Sequence, residues 1–250
     1  MSALDRKLTT ELVYGTVKTL GTLDWYLEKV VNRPLWKLDE TLLVILRLSA
    51  YQLLFLDRIP DSAACNEGAK LARKWVNEGS VKLANGALRQ LARTKNQWKL
   101  PAGEKYELTR LALRYYHPEW LIRRWKFRFG LDEAVKLCQF DNQVPPLALR
   151  VNTLKTTRES LQQRLAERGI VTRLSQWSPD GLLCDSLPSL DSLLQDFGPE
   201  LYIQDESSML DAAVLNPQPG QRVIDMCSAP GGKTTHLAQK MANQGEILAL

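Results

Sequence analysis

The sequence predicts an α + α/β molecule, a helical bundle followed by strand–helix units, and three observations carry that expectation. From the N-terminus to about residue 95, apolar residues recur at helical spacing with no strand-like alternation. Around Pro145-Pro146 the pattern changes to short apolar runs separated by turn residues. At Val223–Thr234, read VIDMCSAPGGKT, an apolar run passes directly into a Pro-Gly-Gly-Lys-Thr turn and the start of a helix. That last arrangement suits a polar ligand, because glycines let backbone approach closely and a helix start offers N–H groups and a positive dipole end.

The 250 residues, 44% hydrophobic, have room for one large or two to three small domains with real cores. No apolar run reaches the roughly 18 residues a spanning helix needs, and the first residues lack the apolar segment of an export signal, so a cytoplasmic, non-membrane protein is expected. Cys65, Cys138, Cys184 and Cys227 form no C-x-x-C pair, and His117 and His236 are the only histidines. Reduced thiols and no metal site are therefore expected. The net charge of +5 is uneven: residues 1–100 hold 16 Lys and Arg against 10 Asp and Glu, while residues 201–250 hold 3 against 5. A basic front suits a polyanion-binding module, although such an excess is also common on helical surfaces.

In chain order, Leu8, Leu12, Val13, Val17 and Leu20 trace one stripe that Leu23, Tyr26, Leu27 and Val30 continue up to Pro34. Leu42 to Leu56 reads as a nearly all-round apolar helix central to the bundle. Asp61 or Ser62 is expected to cap the next helix, which carries Ala64, Cys65, Ala69, Leu71 and Ala72, and a further helix runs from about Val81 to Ala92. Residues 1–100 thus form a helical domain and 101–142 a helical connector. In the connector, Trp120, Leu121, Trp125 and Phe127 interleave with Arg123, Arg124, Lys126 and Arg128, which suits either RNA stacking or an amphipathic helix with a solvated basic face. His117, before Pro118, reads as a capping or packing residue.

Residues 143–200 read as a small α/β module. Leu147–Val151, Val171–Leu174 and Gly181–Cys184 suit strands, and Thr156 with Glu159 makes a capping-box signature before a helix that Gly169 ends. Residues 201–250 open with the strand-like Leu201-Tyr202-Ile203, followed by Gln204-Asp205-Glu206-Ser207-Ser208, in which Asp205 is a natural N-cap. A buried strand from Arg222, the loop, its helix and a second strand within Gly245–Leu250 then start a doubly wound fold. A Walker P-loop would need glycine at Cys227, and Pro230 removes an N–H donor from the loop.

Several of these strings resemble known families. LTTELVYGTVKTLGTLD, LRLSAYQLLFLDRIPDSAACNEGAKLA and VKLANGALRQLAR resemble the NusB-like RNA-binding helical domain. PPLALRVNTLK is similar to the segment that leads, through an RRM-like subdomain, into the catalytic fold of the ribosomal RNA small subunit methyltransferase B (RsmB/NOP) family, although the aromatic RNP run of a true RRM is missing. Asp225–Thr234 matches the S-adenosylmethionine motif D-x-C-[AS]-A-P-G-G-K-T of the RNA cytosine-5 methyltransferases at every position. The resemblance implies a Rossmann-like methyltransferase domain acting on 16S ribosomal RNA, with S-adenosylmethionine as cofactor.

It also implies that Cys227, Ser228, Ala229, Pro230, Gly231, Gly232 and Lys233 line the cofactor pocket. Lys233 would either orient a carboxylate or snorkel from the first helical turn. Asp225 would brace the loop or approach the cofactor, while Thr234 and His236 belong to the following helix. Cys227 is expected to be a small buried thiol and not the nucleophile. The family's two working cysteines lie in D-A-P-C and T-C-S segments beyond this loop, and neither string occurs here, so no catalytic residue is expected among these residues. The sequence thus reads as a fragment that does not methylate RNA by itself. Two other readings stay open: a non-enzymatic NusB-like RNA-binding protein and a P-loop nucleotidase.

Overall fold

A computed structural model describes residues 2–187 and 189–250. The chain forms two compact units, residues 1–143 and 144–250.

The first unit is helical: α1 (Ala3–Lys18), α2 (Leu20–Val30), α3 (Glu40–Phe55), α4 (Asp61–Trp75), α5 (Glu78–Thr94), α6 (Glu107–Tyr115), α7 (Glu119–Phe129) and α8 (Leu131–Asp141). Leu23 and Leu27 of α2, Leu46 of α3 and Leu88 and Leu91 of α5 are fully buried at its centre. Side-chain caps set three of the starts: Ser2 accepts from the Asp5 N–H at 3.1 Å, Asp39 from the Leu42 N–H at 3.0 Å, and Asn77 from the Ser80 N–H at 2.9 Å. The expected cap at Asp61 or Ser62 is not formed. Pro60 occupies that place, and Asp61 is the first helical residue, paired instead with Lys95 at 2.9 Å.

The N-terminal stripe also needs correction. The helix breaks at Thr19, whose hydroxyl and N–H both bond to the Gly15 carbonyl, and Leu8, Val13, Val17 and Leu20 are exposed. α1 docks through a face of Leu12, Gly15, Thr16 and Thr19, because the Tyr51 ring of α3 lies against Gly15, where a Cβ would sit 2.1 Å from it. The connector packs onto the same unit: Thr22 donates to the Leu113 carbonyl at 2.8 Å, and Tyr116 meets Phe55 edge-on at 5.6 Å. His117 packs against Trp125, with ring centroids 5.5 Å apart, and its Nε2 lies 3.4 Å from Asp141.

The second unit runs β1 (Leu147–Val151), α9 (Arg158–Glu167), β2 (Thr172–Leu174), β3 (Gly181–Cys184), α10 (Leu190–Phe197), β4 (Leu201–Ile203), α11 (Glu206–Leu215), β5 (Arg222–Asp225), α12 (Gly232–Lys240) and β6 (Glu246–Ala249). The first four strands form an antiparallel sheet in the order β2-β3-β1-β4, with Leu149 opposite Leu182 on one side and Ile203 on the other. With α9 and α10 this is the βαββαβ arrangement of ferredoxin-like folds. Leu201–Ile203, grouped by sequence with residues 201–250, is therefore the fourth strand of the module before it. The cap of α9 is Thr157, accepting from the Ser160 N–H, while Thr156 takes a hydrogen bond from Arg164.

One face of this sheet buries Leu149, Val151, Leu182 and Cys184 with Leu161 and Leu165 of α9 and Leu193 and Phe197 of α10. The other presents Ala148, Arg150 and Leu183, with Met209 of α11 packed among the apolar pair. β5 and β6 pair in parallel, Asp225 opposite Ala249. β5 is not the buried strand expected: Ile224 is 61% and Met226 76% exposed. The pleat points Val223 and Asp225 to the opposite side from these residues, and of the strand only Asp225 is buried.

Candidate functional site

The loop between β5 and α12 is held at both ends by one carboxylate. Asp225, buried at the strand end, accepts from the Cys227 N–H at 3.1 Å and from the Thr234 hydroxyl at 2.6 Å. Loop bracing is thus its observed contact. Ser228 fixes the middle, its N–H and hydroxyl donating to the Leu250 carbonyl, and its own carbonyl accepts from the Gly231 N–H at 2.6 Å. The Ala229–Pro230 peptide is cis. Gly231 has φ +103°, a conformation that L side chains rarely adopt, and it precedes α12 without any side-chain cap on that helix. The first-turn amides of α12 are therefore left for another acceptor.

A hollow of about 310 Å³ opens beside the loop. Cys227, Ser228, Ala229, Pro230, Gly232 and Lys233 line it from one side, with Tyr202, Gln204 and Asp205 on the other, and Gly231 is the one residue of the expected seven outside the lining. Gly232 is at close quarters: a Cβ there would lie 3.3 Å from the Tyr202 ring. Asp205 caps α11 through the Ser207 N–H at 2.9 Å, and hydrogen bonds from Ser207 hold its carboxyl below the ordinary value. Cys227 corrects an expectation, since it is exposed, just past the end of β5, where Ile224 and Met226 are exposed too. Lys233 neither snorkels nor stands free, but pairs with Asp211 of α11 at 2.7 Å, a half-exposed contact that holds its ammonium above the ordinary value.

Sequence reasoning missed the set of side chains that fixes α12 to the sheet. Arg150 of β1, 3% exposed, donates to the Gln204 side chain at 2.6 Å, to the Gly232 carbonyl and to the Thr235 hydroxyl at 2.9 Å, with its guanidinium over the Tyr202 ring. Burial pushes its pKa down to about 10, so it stays charged at neutral pH. One turn along, fully buried His236 lies 2.9 Å from Asp180, which also accepts from Lys240 at 2.6 Å. Burial lowers the His236 pKa, outweighing the pull of Asp180, so the ring is neutral, with Nε2 as donor and Nδ1 without a partner among the described residues. Burial alone would raise the Asp180 pKa, but the bonds from His236 and Lys240 bring it below the ordinary value. Gln239 adds bonds to the Val151 carbonyl and the Thr153 hydroxyl. The available signal was a charged residue inside the apolar run LALRV, since a buried arginine needs acceptors around it.

This arrangement offers a small-residue wall, an uncapped helix start and a lysine, all suited to an anionic, amino-acid-like group. No group of three or more His, Cys, Asp or Glu that could hold a metal ion occurs among the described residues.

Three family models match in sequence order: the NusB family over residues 1–93, the Methyltr_RsmF/B-like ferredoxin-like domain over 117–189, and 16S rRNA methyltransferase RsmB/F over 212–250. The whole chain is 39% identical to the probable ribosomal RNA small subunit methyltransferase B of Synechocystis and 36% identical to that of Bacillus subtilis, covering 56% and 55% of them. It therefore spans little more than half the length of these relatives. The crystal structure of PH0851 superposes on 99% of the chain with a TM-score of 0.77 at 28% identity, the chain covering 55% of that protein. A methyltransferase homolog protein from Pyrococcus horikoshii, 34% identical, matches 57% of the chain with a TM-score of 0.51, and the chain covers 47% of it.

Proposed function

The chain belongs to the RsmB/F family of 16S rRNA methyltransferases, and from that premise we propose that the protein forms 5-methylcytosine in 16S rRNA in the cytoplasm, with S-adenosylmethionine as methyl donor. The bound cofactor supplies an electrophilic methyl on a sulfonium. C5 of cytosine is a weak nucleophile, so a cysteine thiolate adds to C6, C5 takes the methyl, and loss of the C5 proton and of the thiolate restores the aromatic ring. In the family the cysteines for that step lie in D-A-P-C and T-C-S segments, and neither string occurs in these 250 residues.

What this chain contributes is one wall of the cofactor site. The observation that carries the reading is the complete D-x-C-[AS]-A-P-G-G-K-T loop folded as the wall of the hollow beside β4 and α11. The open amides of Gly232 and Lys233 and the Lys233 ammonium suit the carboxylate of the methionine end, with Lys233 turning from Asp211 to the ligand. Asp205, ionised in the opposite wall, suits the ammonium of the same end. Cys227 and Ser228 line the hollow beside them.

The test is calorimetric titration of S-adenosylmethionine into the full-length protein and its Gly232→Val variant. Branched carbons at 232 would press on the Tyr202 ring and fill the approach to the amides. Binding is expected to weaken at least about tenfold, roughly 1.4 kcal/mol, with the melting transition retained. Magnesium-dependent ATP binding in place of S-adenosylmethionine binding would contradict the reading.

A further inference from the structure

α7 carries a face that neither the helical core nor the methyl-transfer site uses. Ile122, fully buried, and Trp125, packed on His117, turn inward. On the other side of the helix stand Trp120, Arg124, Phe127 and Arg128, at the i, i+4, i+7, i+8 spacing of a single stripe. Trp120 is 63% and Phe127 91% exposed. The neighbouring cations are already engaged, Arg123 with Glu119 at 2.9 Å and Lys126 with Glu107. Arg124 and Arg128, by contrast, have no hydrogen-bond or ion-pair partner among the described residues.

We propose that this face of α7 binds single-stranded RNA, with unpaired bases stacking on Trp120 and Phe127 and phosphates paired to Arg124 and Arg128. A merely solvated basic face has no use for two large aromatic rings, and a purely apolar docking face has no use for two guanidiniums beside them, Arg124 between the rings and Arg128 just past Phe127. Base plus phosphate is the chemistry that both satisfy together. The two rings stand about 10 Å apart along the axis, given the 1.5 Å rise per residue, so they act as two platforms. Duplex RNA hides its base faces, which restricts the partner to unpaired strands. The other exposed tryptophans differ: Trp36 and Trp75 each stand beside one adjacent lysine, in a short 3-10 turn and at a helix end, and Trp177 lies in the bend between β2 and β3. The proposal rests on the family reading only for the identity of the RNA.

The experiment compares the full-length protein with two double variants, Trp120→Ala with Phe127→Ala and Arg124→Gln with Arg128→Gln. Anisotropy of a labelled single-stranded RNA 12-mer and its duplex is read at several salt concentrations, beside melting temperature and S-adenosylmethionine titration. The aromatic pair is expected to lose tenfold or more in affinity for the single strand, with melting and cofactor binding unchanged. Phe127→Tyr, which keeps a ring, is expected to bind like the parent. The arginine pair should lower the slope of log K against log salt by about 1.4, at roughly 0.7 per phosphate contact on a single strand. Single-strand affinities within twofold of the parent in both double variants would overturn the proposal. So would loss of a dimer on removing the rings with RNA affinity intact, which would assign the face to a protein contact. Failure of the parent to bind S-adenosylmethionine would strike the cofactor assignment and leave the RNA measurement readable.

Discussion

Arg150 ties the cofactor loop to the sheet behind it. Replacing it by methionine keeps most of the packing but leaves the Gly232 carbonyl, the Gln204 side chain and the Thr235 hydroxyl without their donor. Of these only the Gln204 side chain is buried, while Gly232 is half-buried and Thr235 exposed; at about 1–3 kcal/mol for a buried polar group left unpaired, a loss of roughly 1–3 kcal/mol is expected in urea unfolding. Cofactor affinity should fall as well, because Gly232 belongs to the hollow. His236 gives a second test. Its native pKa lies below the ordinary 6.5, so between the two values the unfolded chain holds more protons and stability rises with pH. Asp180 acts in a lower window: its stabilisation is present above 3.8 and is lost as pH falls through the native value. Melting temperature should therefore drop on going from pH 7.5 to 5, and His236→Gln, which still offers a donor to Asp180, should flatten that drop. An unchanged pH profile in the variant would show that His236 does not titrate across this range. Sequence made six of the hollow's lining residues legible because the motif is local. Asp180, Asp211 and Arg150 were not legible, since their partners lie between 22 and 85 positions away in the chain.

The elements that sequence located best have local causes: the apolar density of α3, the turn residues that bound β1 and β3, and the strand–glycine–helix order around α12. Those it misplaced depend on a neighbour. The apolar stripe of α1 gave no hint that a glycine-and-threonine face would dock instead, because that choice is made by the Tyr51 ring arriving from α3. α10 escaped notice although Ser189 caps it and Leu193 and Phe197 are buried, and without it the ferredoxin-like order is incomplete. Docking through Gly15 is testable. Gly15→Ala would force the Tyr51 ring from its place and from its bond with Glu11, at about 1–3 kcal/mol for overpacking. Gly86→Ala, exposed in α5 with nothing near the new methyl, should instead stabilise by about 0.5–1 kcal/mol. Equal effects of the two substitutions in thermal unfolding would remove the close contact as the reason for that glycine.

At the scale of the molecule, the chain places a helical unit with an RNA-suited face, a ferredoxin-like module and the first βαβ unit of a methyltransferase fold in one order. No helix among the described residues is long and apolar enough to cross a membrane. The proposed division of labour puts cofactor holding in residues 227–233 and bond making in the family's D-A-P-C and T-C-S cysteines, strings that do not occur in these 250 residues. The most direct measurement gives labelled S-adenosylmethionine and unmodified 16S rRNA to the full-length protein and to residues 1–250 in parallel, then maps the label by nucleotide and atom. The account predicts label on C5 of a cytosine with the full-length protein and none with residues 1–250. Cytosine methylation by residues 1–250 alone, or label on any other atom, would contradict it.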